Sequence, residues 1–302
     1  RSSRDVYALE GPEALGERGL GARPDPMTPP KDDEVKITTA ATLDENIKEV
    51  QSLLGFTGGN VDGKFGKNSM KRLNDFQKRA GLPVTDGFTY DPDTVAALKT
   101  ANAAIEAATQ GLLDRVAYGE GAKAGDKTDY EIVYGYGQYL KPPVKITDMT
   151  FVQLYDYQNK LIAATTGKIP AGEDKNGKKL YRTDGTSALG KYQVVRNSLF
   201  GKGGTPQKPK VDSWAAKLKL DENTVFTPEI QELIGRQALK ESGFDNWLNN
   251  TKGARTEDSM VGRVADIWAS VEGNTYKQGV HTTKADLEPF LKVLRNRGIS
   301  EE

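Results

Sequence analysis

Glu120 stands between Gly119 and Gly121, four residues after Val116, closing a run in which Ile105, Leu112, Leu113 and Val116 share one side of a helix. That spacing turns the carboxyl toward the core at the last turn, and the flanking glycines let backbone or substrate come close. A carboxyl held away from water keeps its proton to higher pH, as a general acid for glycosidic cleavage must. The same pattern also describes a solvated helix end before a glycine, so the chemistry needs a second element. The segment from Thr186 to Val195 is a candidate: small residues let a chain approach, and Ser187, Tyr192 and Gln193 offer a hydroxyl, a ring face and an amide to a sugar. A hydrolase using two acids would draw its second carboxylate from Asp126, Asp129 or Glu131. Glu241-Ser242 is a competing acid, but it fits a helix end closed by Gly243.

Composition narrows the classes. The chain holds 42 basic and 42 acidic residues, so no global surplus of charge draws it to nucleic acid. Cysteine is absent, which removes disulfides, thiolate metal sites and a cysteine nucleophile. His281 is the sole histidine; it lies in a polar stretch and reads as a solvated surface residue. Acids are scattered without an EF-hand or zinc spacing, so no metal or cofactor is expected. No apolar run reaches the length of a membrane span.

Three segments position these residues. Residues 1–42 are rich in Pro and Gly without apolar periodicity, and read as an extended arm or linker. Residues 43–101 read as a three-helix unit: Leu43, Ile47, Val50, Leu53 and Leu54 recur at helical spacing, a second helix starts near Ser69, and a third runs through Asp93–Leu98. Between them come two turns, Val61-Asp62-Gly63 and Thr85-Asp86-Gly87, in a partial internal repeat. Residues 102–302 read as a mostly helical α+β domain, with helices near 103–119, 148–164, 187–200, 227–240, 256–271 and 284–297 and a small hairpin within Ile169–Asp184.

The Val-Asp-Gly-Lys-Phe-Gly run at 61–66, Asp75-Phe76-Gln77 and Ala80-Gly81-Leu82 resemble the peptidoglycan-binding type 1 module. In the larger segment four landmarks occur in order: Leu113 to Gly121, Tyr130 to Gly135, Ser187 to Gln193, and Asp266-Ile267-Trp268-Ala269-Ser270 followed by Tyr276 and Gln278. Together they resemble the lambda-type phage endolysins, lysozyme-like lytic transglycosylases. The resemblance implies Glu120 as the catalytic acid and Tyr130, Ser187, Tyr192 and Gln193 as substrate contacts. It implies cleavage of the MurNAc–GlcNAc β-1,4 bond with closure of a 1,6-anhydro ring. It also implies bacterial peptidoglycan as the partner, with other tail or virion proteins reached through residues 1–42. The protein would reside in a phage virion or the host cytoplasm and act on the wall in the periplasm. A hydrolytic muramidase, or an inactive wall-binding virion component, is the alternative. The resemblance departs at two places: Pro142–Asp184 is longer than in the compact relatives, and Gly201–Val211, rich in Gly, Lys and Pro, reads as an inserted loop.

Overall fold

A computed structural model describes residues 40–122, 127–248, 256–273 and 281–298. The expected arm at 1–42 lies almost wholly outside them, as do Asp126, Tyr276 and Gln278. The fold is mostly helical with one small antiparallel hairpin. The helices are α1 (Ala40–Leu53), α2 (Lys67–Arg79), α3 (Pro92–Gly119), α4 (Phe151–Thr165), α5 (Arg196–Phe200), α6 (Trp214–Leu218), α7 (Pro228–Glu241), α8 (Phe244–Leu248), α9 (Glu257–Ala265) and α10 (Lys284–Arg295). Strands β1 (Pro170–Glu173) and β2 (Lys179–Tyr181) pair antiparallel within the segment where a hairpin is expected.

The first core joins α1, α2 and the start of α3 through Val50, Leu54, Leu73, Phe76, Val95, Leu98 and Ala101. Its Asp62-Gly63 turn is bolted to α1 by buried Gln51, whose amide donates to Asp62 Oδ1 at 2.9 Å and accepts from Gly63 N–H at 3.1 Å. Gly63 has φ 74°, and a Cβ there would fall 1.6 Å from Asp44 Oδ1, so the turn requires glycine. Helix α2 starts at Lys67, near Ser69 as expected, with Gly66 at its N-cap; Ser69 is buried and receives a hydrogen bond from Gln51.

Two expected helices, at Asp93–Leu98 and 103–119, are one continuous helix of 28 residues. Asp91 caps it by accepting from Thr94 N–H, and Pro92 occupies its first turn. The residues between the two expected pieces, Lys99 to Asn102, hold neither Gly nor Pro, so nothing interrupts propagation. The boundary expected after Ala101 therefore falls inside α3. Its first half belongs to the first core, and Ala108, Leu112, Leu113, Val116 and Ala117 belong to the second.

That second core gathers α3, α4, α7, α9 and α10 around fully buried Phe151, Phe200 and Phe226. Burial of each large apolar side chain contributes about 1.5–3 kcal/mol. Helix α10 crosses α3 closely at Gly111, where an added Cβ would stand 2.4 Å from the Phe290 ring. The expected helix over 187–200 reduces to α5, because Gly190 and Gln193 take φ of 74° and 48° and break the path before it. The Tyr130–Gly135 landmark forms short 3-10 turns, with one antiparallel bridge between Val133 and Leu189. Helix α9 ends at Ala265, leaving Trp268 and Ser270 in a turn.

Candidate functional site

Helix α3 delivers Glu120 as its C-terminal cap into a cleft of about 460 Å³. One wall is the turn Ile267–Ser270 with His281; the other comes from Ile132–Tyr136, Arg182, Thr186, Ala188 and Gln193. Close approach of the first wall depends on Gly119, where a Cβ would lie 2.3 Å from Thr282 Oγ1 and 2.7 Å from Ser270 Oγ. The Ser270 N–H donates to Glu120 Oε1 at 3.1 Å. Burial pushes the Glu120 carboxyl above the usual carboxylate range, against the pull of Ser270 hydrogen bonding and the field of His281. The buried Ser270 hydroxyl sits beside this carboxyl without a hydrogen bond of good geometry. Leaving such a group unsatisfied costs about 1–3 kcal/mol, a cost that a bound water or substrate oxygen would remove.

Gln193 is the expected substrate contact that the fold brings to Glu120. Its left-handed backbone turns it into the cleft, and its amide is steadied by the Gly190 carbonyl at 3.0 Å. Ser187, Tyr192 and Tyr130 are placed elsewhere. Ser187 is buried and its hydroxyl accepts from Arg196 N–H at 2.8 Å, which positions the start of α5. Tyr192 is 3 % exposed; its ring fills the space over Gly235 and packs 6.5 Å from the Trp268 ring. Ring and glutamine are neighbours in sequence, and past the left-handed Gly190 and Gln193 the glutamine lines the cleft while the ring is buried.

Tyr130 and Tyr192 instead converge on Glu232, each donating to it at 2.6 Å. Lys191 Nζ reaches Glu232 at 2.7 Å and Asp114 at 2.6 Å. Burial works against the lysine charge, but the hydrogen bonds to Asp114 and Glu232 outweigh it and raise the pKa. Burial and Glu232 together push the Tyr130 hydroxyl up to about 12. This network ties α3, α7 and the 187–193 segment into one rigid support.

Asp129 and Glu131 line an adjoining depression rather than the Glu120 cleft. Glu131 accepts from Ile146 N–H at 2.8 Å and from the Thr147 hydroxyl, so it closes the turn before α4. Glu241 is held by Lys217 at 2.7 Å at the end of α7, away from the cleft. Among the described residues lining the cleft, Glu120 is the single carboxylic acid. Three cleft residues went unmarked in the sequence reading. His281 is solvent-exposed as expected, yet it stands at the rim, held by its N–H to the Ser270 carbonyl at 2.8 Å. Tyr136 is 77 % exposed and lines both the cleft and the depression. Arg182 reaches the wall from the end of β2, paired with Asp184 at 2.7 Å. Of these, Tyr136 had a signal: an aromatic between two glycines, with no apolar periodicity to bury it.

Residues 44–98 match the family model of a peptidoglycan binding domain. The chain carries a peptidoglycan-binding module there. The match covers α1, α2 and the start of α3, the elements that build the first core. No curated protein and no solved structure matches the chain.

Proposed function

We propose that the chain is a peptidoglycan-cleaving enzyme whose acid is Glu120, acting on the glycan strand as a lytic transglycosylase. The observation that carries this is a lone carboxyl in a cleft, its proton affinity raised by burial, in a chain that also carries a wall-binding module. Glu120 protonates the glycosidic oxygen as the bond to the muramoyl C1 breaks. The resulting carboxylate takes the proton of the muramoyl 6-hydroxyl, whose oxygen closes on C1 to give the 1,6-anhydro ring. No water is consumed, and the substrate's acetamido group stabilises the developing positive charge, so one carboxylate suffices. Gln193 supplies amide hydrogen bonds and Tyr136 an exposed ring face for the sugars. The resemblance to the lambda-type phage endolysins supports a location in a phage particle or the infected host, with residues 1–42 reaching other virion proteins.

The test is mass spectrometry of muropeptides released from purified peptidoglycan by the parent chain and by Glu120→Gln. Anhydro-muramoyl ends from the parent and none from the variant are expected. Reducing ends would make the enzyme a hydrolase, with Asp126, Asp129 and Glu131 as candidates for the second acid. Equal release by both chains would overturn the assignment of Glu120.

A further inference from the structure

The hydroxyl of Ser270 is a buried polar group that the fold leaves idle. Ser270 is 4 % exposed, and no described residue gives its Oγ a hydrogen bond of good geometry. The rest of the residue is committed. Its N–H donates to Glu120 Oε1 at 3.1 Å, and its carbonyl accepts from His281 N–H at 2.8 Å and Thr282 N–H at 3.0 Å. Those three bonds fix the backbone, so the hydroxyl stands where the turn after α9 puts it. That place is over Gly119, the residue before Glu120, where an added Cβ would lie 2.7 Å from Oγ. Alanine would fill the same space without burying an unsatisfied group.

The chemistry of Glu120 supplies the missing acceptor, but only part-way through the reaction. A protonated carboxyl is neutral and accepts weakly. Its carboxylate accepts on both oxygens, and hydrogen bonds to it are roughly twice as strong. Turning the Ser270 O–H toward it needs rotation about one bond and no movement of the fold. A donor that is idle before proton transfer and engaged after it favours the later state selectively, and that lowers the barrier.

We propose that Ser270 is a positioning residue for the Glu120 carboxylate, its hydroxyl donating to that group once the proton has passed to the glycosidic oxygen. The bond is released when the proton of the muramoyl 6-hydroxyl reaches Glu120. The inference rests on the reading of Glu120 as the acid and deepens it. Ser270 keeps its own proton throughout, so the proton balance of the reaction is unchanged. Burial raises the Glu120 pKa, and Ser270 lowers it through both its hydroxyl and its N–H. The other titratable groups lining the cleft are Tyr134, Tyr136, Arg182 and His281. Arg182 is paired with Asp184, and His281 favours the ionised form of Glu120.

The test compares Ser270→Ala with the parent, both carrying His281→Gln so that the sole histidine does not titrate in the same range. One reading is kcat and KM on purified peptidoglycan across pH. The other, without substrate, is the Tm difference between each chain and its Glu120→Gln counterpart across pH. Losing one hydrogen bond to a charged group should lower kcat about tenfold with KM unchanged. The same change in the ionisation of Glu120 should move the alkaline limb of the kcat profile up by about one pH unit. The Tm difference should go on growing to a correspondingly higher pH, because the folded-state pKa has risen. A loss of kcat with both pH readings unmoved would give the hydroxyl to a substrate oxygen or to the fold. That outcome, or an unchanged kcat, would overturn the inference and leave Glu120 as the acid. Activity that survives Glu120→Gln would overturn the reading of Glu120 itself.

Discussion

On the proposed reading of Glu120 as the acid, Gly119→Ala separates catalytic geometry from stability. An added Cβ would stand 2.3 Å from Thr282 Oγ1, so that wall must retreat by about 1.1 Å to reach an ordinary 3.4 Å contact. Thr282 is fully buried and donates to the Arg115 carbonyl at 3.2 Å, so its side chain cannot swing into open space. The strain passes to Ser270, whose N–H holds Glu120 at 3.1 Å and whose carbonyl receives Thr282 N–H at 3.0 Å. Overpacking costs about 1–3 kcal/mol, while replacing a helical glycine by alanine returns about 1 kcal/mol. The net loss is about 0–2 kcal/mol, a fall in Tm of at most about 8 °C for a domain of this size. A 1 Å displacement of a catalytic group costs about a hundredfold in rate. Turnover of purified peptidoglycan, followed by release of soluble fragments, should therefore fall by about two orders of magnitude while the chain stays folded. Gly111→Ala is the control, because it meets only the Phe290 ring on the same helix and should lower Tm without a matching loss of rate. Gly119→Ala with a rate within about threefold of the parent would refute the claim that this contact sets the Glu120 geometry.

Other perturbations test the remaining supports. Burial raises the folded-state pKa of Glu120, so folding is penalised only where the unfolded chain would ionise it. Glu120→Gln should match the parent in Tm below the ordinary glutamate value of 4.5 and exceed it increasingly as pH rises through the raised value. Parent activity should fall across that same rise, and a Tm difference independent of pH would contradict the buried acid. Ser270→Ala deletes an unsatisfied hydroxyl; stability should hold or improve, while kcat drops about tenfold if that hydroxyl serves the reacting atoms. An unchanged kcat would make it a structural remnant. Lys191→Met leaves half-buried Glu232 without its cation and should cost about 3 kcal/mol in urea denaturation, partly recovered by adding Glu232→Gln. A loss below about 0.5 kcal/mol would show that the network does not support the fold.

What the sequence disclosed follows a physical division. Helix existence and core faces were legible, because α4, α7 and α10 announce themselves by apolar spacing and by the Thr150, Thr227 and Thr283 caps. The position of Glu120 was legible for the same reason: four residues after Val116 can only be one turn further along one face. The fate of Tyr192 was not. It depends on two left-handed residues, one of them the non-glycine Gln193, and on the vacancy above Gly235 that its ring fills. The role of Lys191 was not legible either, because its partners Asp114 and Glu232 are 77 and 41 residues away in sequence. His281 read as solvent because its own neighbours are polar; only the pairing of Val271 with Thr282 carries it to the cleft rim.

The shared helix gives the two cores a relation that neither has alone. Val95 sits in the first core and Glu120 ends the helix 25 residues later, about 38 Å along an α-helix. The passage between cores is braced rather than hinged. Asn102 donates to the Leu53 carbonyl at 2.8 Å, and Gly298 packs so tightly on Ala101 that a Cβ there would lie 2.1 Å from its carbonyl oxygen. A flexible linker would raise the local concentration of enzyme at the wall and leave its orientation free. A braced helix also sets the direction from which Glu120 meets a strand held by the module, and orientation is the larger part of the advantage in bringing an acid to a fixed bond. On the proposed reading, wall binding and cleavage are therefore coupled through α3 itself, with the module gripping the polymer at one end of a rigid rod and the acid waiting at the other.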